Sequence, residues 1–189
     1  MSKLSVIIGS TRPGRVGLPI GQWFFERAKL HGKFEVELVD LKSQNLPLLD
    51  EPKHPRLGEY ENEHTKAWSK IIKESDAFVF VTPEYNFCAP PTLLNAFDFL
   101  FHEWAYKAAG FVSYGGQSGG IRAVQMLKQP MIAMKLVGIP ESVAIPFFAQ
   151  FMDAETFKGS EAFEKASVTM LDELLRWTGA LATLRKPTG

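Results

Sequence analysis

The stretch Leu4-Ser5-Val6-Ile7-Ile8-Gly9-Ser10-Thr11-Arg12-Pro13-Gly14-Arg15-Val16-Gly17 decides the fold class. Its apolar opening stops at Gly9, which is how a short strand buried on both faces reads. A helix follows over about 18–31, with Ile20, Phe24 and Ala28 at four-residue spacing and Gly32 as its closing glycine. Strand, glycine-rich turn and helix in direct succession open a pattern that the rest of the chain repeats.

Phe34 to Val39 alternates apolar and charged residues before turning apolar, as an edge or near-edge strand with one wetter face does. The polar segment 42–62, with Pro47, Pro52, Pro55 and Gly58, is the candidate insertion or lid. A helix is expected over about 63–75 and a buried strand over Ala77–Thr82. A helix over about 91–103, a strand over Ala109–Tyr114 and a helix over about 119–136, disturbed at Pro130, come next. A short strand over Ser142–Pro146 and a last helix over about 160–183 complete the series. Alternation of this kind predicts an α/β domain over 1–189 with a parallel sheet covered on both faces. Periodicity leaves the strand order open. Ligands of open α/β sheets bind beyond the carboxyl ends of the strands, so the loops after the first, third and fourth strands are the candidate functional ones.

Composition narrows the function classes. Lys and Arg number 21, as do Asp and Glu, so there is no basic excess for a nucleic-acid partner. The apolar windows are about 6–8 residues long, against the ~20 that a membrane helix needs. Cys88 is the lone cysteine, which excludes an intrachain disulfide and predicts a cytoplasmic protein. His31, His54, His64 and His102 are scattered without metal-ligand spacing.

Eight of the 15 glycines cluster just past the first and fourth strands, at 9, 14, 17 and 21 and at 115, 116, 119 and 120. The first loop joins a strand to a helix N-terminus, the usual place for an anion. Ser10 and Thr11 add hydroxyl donors, and Arg12 and Arg15 add guanidiniums that suit phosphate. Gly9 and Gly14 have P-loop spacing, but Arg15-Val16 stands where Lys-Ser/Thr would hold magnesium, and the G-x-G-x-x-G fingerprint is absent. The reading is a phosphate monoester bound without metal. In the second loop, Pro83, Pro90 and Pro91 stiffen the backbone, Tyr85 and Phe87 offer flat faces, and Asn86 can donate and accept. In the third, Tyr114-Gly115-Gly116 lets a ring approach the backbone, and Ser118 can cap the next helix. Arg122 lies in that helix's first turn, where its charge opposes the dipole; this points to an anionic partner or an ion pair. A phosphate, a planar ring and ring-edge hydrogen bonds together describe a mononucleotide cofactor, with FMN the leading fit.

The set GSTRPGRVG, PEYNFCAPPTLLNAFD and SYGGQSGGIRAVQML resembles the NADPH-dependent FMN reductase family, the flavodoxin-like quinone, azo and chromate reductases. The resemblance implies a flavodoxin-like three-layer α/β/α sandwich with a five-stranded parallel sheet in the order 2-1-3-4-5. It implies FMN phosphate at Ser10, Arg12 and the turn Arg15, Val16 and Gly17. It implies the isoalloxazine against Pro83, Glu84, Tyr85, Asn86 and Phe87, with Tyr114, Gly115, Gly116 and Ser118 near the ring. NADPH or NADH would be the electron donor, and quinones, azo compounds, metal oxyanions or free flavin the acceptors, in a ping-pong cycle. The chemistry belongs to the flavin, so no catalytic side chain is expected. The chain departs from the family where Gly17 and Cys88 replace serines and Leu94-Asn95 replaces Lys-Asn.

The competing readings are a flavodoxin-type electron carrier and a flavin-binding sensor protein. Zero net charge disfavours the carrier, since such carriers are strongly acidic. Phe97, Phe99, Phe101, Trp104 and Tyr106 occupy more than one face of the expected helix 91–103 and its extension. Their surplus predicts a homodimer, with a tetramer as the further option.

Overall fold

A computed structural model describes residues 1–185. The main sheet is formed by β1 (Ser2–Ile8), β2 (Phe34–Asp40), β3 (Ala77–Pro83), β4 (Ala108–Tyr114) and β5 (Val137–Ile145). All of its pairings are parallel, and the spatial order is 2-1-3-4-5, as the resemblance implied. The flanking helices are α1 (Gly17–His31), the short α2 (Leu41–Gln44), α3 (Glu63–Glu74), α4 (Pro91–Asp98), α5 (Ile121–Ala133) and α6 (Glu161–Ala182).

Side-chain alternation along the strands builds the three layers. Leu4, Val6 and Ile8 with Ala77, Val79 and Val81 point toward Phe24 of α1 and Met170, Leu171 and Leu174 of α6. Ile7, Phe78 and Phe80 point the other way, toward Trp68 and Ile72 of α3, Phe97 of α4 and Leu127 of α5. The period of two puts alternate residues on opposite faces, and the central strands β3 and β4 are buried at every position. Edge strand β2 is only partly buried, as its alternating sequence predicts.

Two expectations are corrected, and one element is added. The aromatic helix ends at Asp98, and the chain then turns through a 3₁₀ segment at His102–Trp104. Phe97, Phe99 and Trp104 are thereby fully buried, with Trp104 5.1 Å from Phe78 and 5.3 Å from Phe97. These three rings fill this chain's own core, while Phe101 and Tyr106 stay only half-buried. Strand β5 begins at Val137, five residues before the expected start, and accommodates Pro140 because it lies on an edge. A small hairpin of β6 (Met152–Asp153) and β7 (Thr156–Phe157), which the sequence reading passed over, covers Trp23.

Segment 42–62 is strapped down. Asn95 Nδ2 donates to the Pro47 carbonyl at 2.6 Å, Leu49 N–H donates to Asn95 Oδ1 at 2.9 Å, and the Tyr60 hydroxyl donates to Glu103 at 3.0 Å. Helix α5 runs through Pro130 and stops three residues later, at Ala133. Among the described residues no helix is long and apolar enough to cross a membrane.

Candidate functional site

The sheet order brings the loops after β1, β3 and β4 to one edge. Ser10 and the Tyr114 hydroxyl meet at 3.3 Å, although they are 104 residues apart in sequence. A cavity of about 220 Å³ lies between the loops. Arg12, Arg15 and Val16 line it from the first loop, Pro83, Glu84 and Tyr85 from the second, and Tyr114, Gly115 and Gly116 from the third. Phe148, which the sequence reading did not single out, closes one side. Ser10, Gly17, Asn86, Phe87 and Ser118 stand outside that lining. A wider groove of about 540 Å³ shares Arg12, Arg15 and Val16 and continues past Lys42 to the hairpin at Met152.

The phosphate-loop candidates divide by what they already hold. Arg15 does not stand free for an anion. Its guanidinium forms a two-pronged ion pair with Asp40 and also donates to the Ser10 carbonyl. Burial alone would raise the Asp40 carboxyl, but the bonds from Arg15 and from the Lys42 N–H outweigh it and hold the group below the ordinary carboxylate range. Arg15 in turn is held above its ordinary value, chiefly by its hydrogen bond to Asp40. Asp40 was missed in the sequence. The signal was topological, because β2 pairs with β1 and Asp40 sits opposite Ile8, at the mouth of the first loop. Arg12 is exposed, and among the described residues its side chain's one hydrogen bond is to the neighbouring Pro13 carbonyl. Helix α1 has no side-chain cap and no acid in its first turn, so its leading N–H groups are available to an anion.

The second and third loops are locked to each other. Glu84 turns its carboxylate onto Ser118 Oγ (2.9 Å), Arg122 N–H (3.1 Å) and the Arg122 guanidinium (3.0 Å). Burial would raise this carboxyl, but the Ser118 and Arg122 bonds hold it below its ordinary value. Of the two options open for Arg122, the ion pair is the one observed. Its guanidinium also lies 4.4 Å from the Phe87 ring centroid. Tyr85 and Cys88 exchange both backbone hydrogen bonds around Asn86 and Phe87, which have φ of 50° and 71°. That is the two-residue turn glycine and asparagine normally occupy, so Phe87 holds a strained backbone at the rim of the site. Ser118 Oγ accepts from Gly120 N–H at the entry to α5, and Gly120, at φ 84°, has no room for a Cβ against Tyr114 N. Phe147 N–H donates to the Gly116 carbonyl at 3.0 Å, which ties the chain after β5 to the same loop.

The arrangement suits a mononucleotide. It offers a helix N-terminus with a buried serine hydroxyl and one uncommitted guanidinium at one end. At the other end are rigid walls, with open space beside Gly116 where no atom lies within 4 Å of a Cβ position. The residues fit FMN. Among the described residues, no group of three or more His, Cys, Asp or Glu side chains is placed to hold a metal ion.

Comparison with known proteins agrees. The profile of the family described as NADPH-dependent FMN reductase matches residues 2–150. An NAD(P)H-dependent FMN reductase of Schizosaccharomyces pombe is 46% identical over 126 residues, which is 66% of this chain and 63% of that protein. One from Saccharomyces cerevisiae is 34% identical over 145 residues, 71% of this chain and 75% of that one. More distant relatives are named as an NADPH azoreductase in Bacillus sp. and an NAD(P)H:quinone oxidoreductase in Solanum tuberosum. The flavoenzyme NAD(P)H:(acceptor) oxidoreductase FerB of Paracoccus denitrificans shares the fold with a TM-score of 0.73 at 22% identity, over 95% of this chain and 98% of its own. With loops, sheet order and profile in agreement, the chain belongs to the NADPH-dependent FMN reductase family.

Proposed function

We propose that the three loops hold FMN, its phosphate at the turn after β1 and its isoalloxazine between the loops after β3 and β4. The chain then serves, as a single FMN-binding domain, as an NAD(P)H-dependent oxidoreductase toward quinones, azo compounds, metal oxyanions or free flavin. The observation that carries this reading is the cavity that all three loops line. Ser10, Arg12 and the backbone of Arg15, Val16 and Gly17 take the phosphate. Pro83, Glu84 and Tyr85 form one wall of the ring site and Gly115 and Gly116 the other, with Asn86, Phe87 and Ser118 supporting them from outside the lining.

When bound, FMN supplies reversible two-electron chemistry between a nicotinamide and an acceptor. The chain's part is to orient and admit. Phe87 and Phe147 are exposed at 65% and 52%, and they flank the loops as apolar contacts for a planar partner. Donor and acceptor would take turns at this one cavity, in a ping-pong order. Two ionisable groups lining the cavity, Glu84 and Tyr114, are not poised to exchange a proton near neutral pH. Glu84 is held ionised by Ser118 and Arg122, and burial holds the Tyr114 phenol above its ordinary value. The relatives named for quinones and azo compounds support those acceptor classes.

The test is the visible spectrum of the FMN-loaded protein, recorded before and after anaerobic NADPH and again after a quinone. A flavin band that bleaches with NADPH and returns with quinone supports the reading. A protein that neither binds FMN nor oxidises NADPH overturns it.

A further inference from the structure

Tyr114 ends β4, yet its hydroxyl does not stay beside that strand. In the sheet β4 is separated from β1 by β3, with Tyr114 opposite Pro83. The phenol crosses the carboxyl end of β3 and donates to Ser10 Oγ at 3.3 Å. Both partners are buried, Ser10 completely and Tyr114 to 97%. The ring is fixed from the far side by Phe148, edge-on at 5.7 Å. The Tyr114 bond leaves the Ser10 hydroxyl with its own hydrogen still to give, and no protein acceptor takes it among the described residues. Donation into an oxygen also strengthens the donation that oxygen makes.

Gly17 completes the arrangement. A Cβ there would overlap Ser10 Oγ and come within 2.6 Å of the Tyr114 hydroxyl. This glycine does not have a left-handed backbone, since it starts helix α1. What requires it is the space that the two hydroxyls fill. Tyr114, Arg12 and Arg15 line the cavity beside this pair, and Ser10 and Gly17 lie just behind that lining.

We propose that Tyr114 is a positioning residue for the phosphate end of the site. Its hydroxyl orients the Ser10 hydroxyl so that Ser10 donates to the FMN phosphate, and Gly17 is kept bare to house the pair. The sequence resemblance put Tyr114 at the ring; the hydroxyl geometry puts its function at the other end of the cofactor. The inference rests on the FMN reading above, and its test separates the two.

The test measures dissociation constants of FMN and of riboflavin, which lacks the phosphate, for the protein, Tyr114→Phe, Ser10→Ala and the double variant, by quenching of flavin fluorescence. A charge-assisted bond to phosphate gives Ser10→Ala a loss of about tenfold or more in FMN affinity, and the neutral Tyr114–Ser10 bond gives Tyr114→Phe a loss of about fivefold. Riboflavin affinity should stay unchanged in both. In the Ser10→Ala background, Tyr114→Phe should cost nothing further, since its effect runs through Ser10. Equal losses for FMN and riboflavin in Tyr114→Phe would return the residue to the ring and overturn the proposal. So would additive losses in the double variant, or no loss at all. Should Tyr114→Phe fail to fold, Ser10→Ala decides alone: an unchanged ratio of FMN to riboflavin affinity overturns the proposal. Failure of the unaltered protein to bind either flavin overturns the FMN reading itself.

Discussion

Glu84→Gln tests whether the ring site is built before any ligand arrives. The Glu84 side chain is 8% exposed and accepts three hydrogen bonds from the loop after β4, two of them from Arg122. An amide of the same shape keeps the packing but removes the charge, and its Nε2 must face donors. Hydrogen bonds to a charged group are worth about 1.5–3 kcal/mol, and Arg122, at 54% exposure, keeps the pair partly in solvent, so a loss of about 1–2 kcal/mol follows. For a domain of this size that is a fall of roughly 2–8 °C in Tm. The pH dependence identifies the cause. The folded carboxyl is held below its unfolded value, so its stabilisation is present above about pH 4.5 and fades as pH falls through the folded value. Urea unfolding of both proteins at pH 7 and at successively lower pH measures this. The deficit of Glu84→Gln should be full at pH 7 and shrink in acid. Equal stability at pH 7, or a deficit that persists unchanged in acid, would refute the bridge.

Two further substitutions address other parts of the molecule. Arg12→Ala should weaken FMN binding by about tenfold or more, the loss of a charge-assisted contact, while leaving the unfolding midpoint in place because Arg12 supports no other element; titration by flavin fluorescence checks this, and unchanged affinity moves the phosphate elsewhere. Lys107 is 6% exposed, with its ammonium on the Ile72 and Lys73 carbonyls at the end of α3, and burial, followed by the Arg185 charge, pushes it down to about 8. Charging it in the fold costs at most roughly 3 kcal/mol below that pH, and stability should rise as pH climbs from about 8 toward 10, where the unfolded chain still holds the proton. Urea unfolding should show that rise in the protein and not in Lys107→Met; parallel profiles would refute it.

The fold was legible where the sheet is central. β1, β3 and β4 are buried on both faces over most or all of their length, so they read as mainly apolar runs with only small polar or glycine interruptions. Edge strand β5 was half lost because Gly138 and Pro140 look like a turn, although an edge tolerates both. The aromatic run after Leu93 was misread because periodicity does not say where a helix stops, and the 3₁₀ segment that turns Trp104 inward has no strong local signal. In the site, residue types were legible and pairings were not. Glu84 meets Arg122 across 38 positions and Arg15 meets Asp40 across 25. Only the sheet order brings these charges together.

Those pairings change what zero net charge means at the site. Arg15 is neutralised by Asp40 and Arg122 by Glu84, so of the three guanidiniums on the loops Arg12 alone lacks a carboxylate partner among the described residues. The two pairs also do mechanical work. Arg15 ties the first loop to the end of β2, Glu84 ties the second loop to the third, and Phe147 N–H ties the third loop to the exit of β5. A site whose charges are spent on its own walls loses little order when a ligand enters, which favours binding by reducing the entropy to be lost. What remains for a phosphate dianion is one guanidinium, the leading N–H groups of α1 and the Ser10 hydroxyl. That is enough for a single small anion and too little positive charge for a polyanion. On the proposed FMN reading, a preference for a mononucleotide over a nucleic acid would come from the internal pairing of the arginines, not from their number.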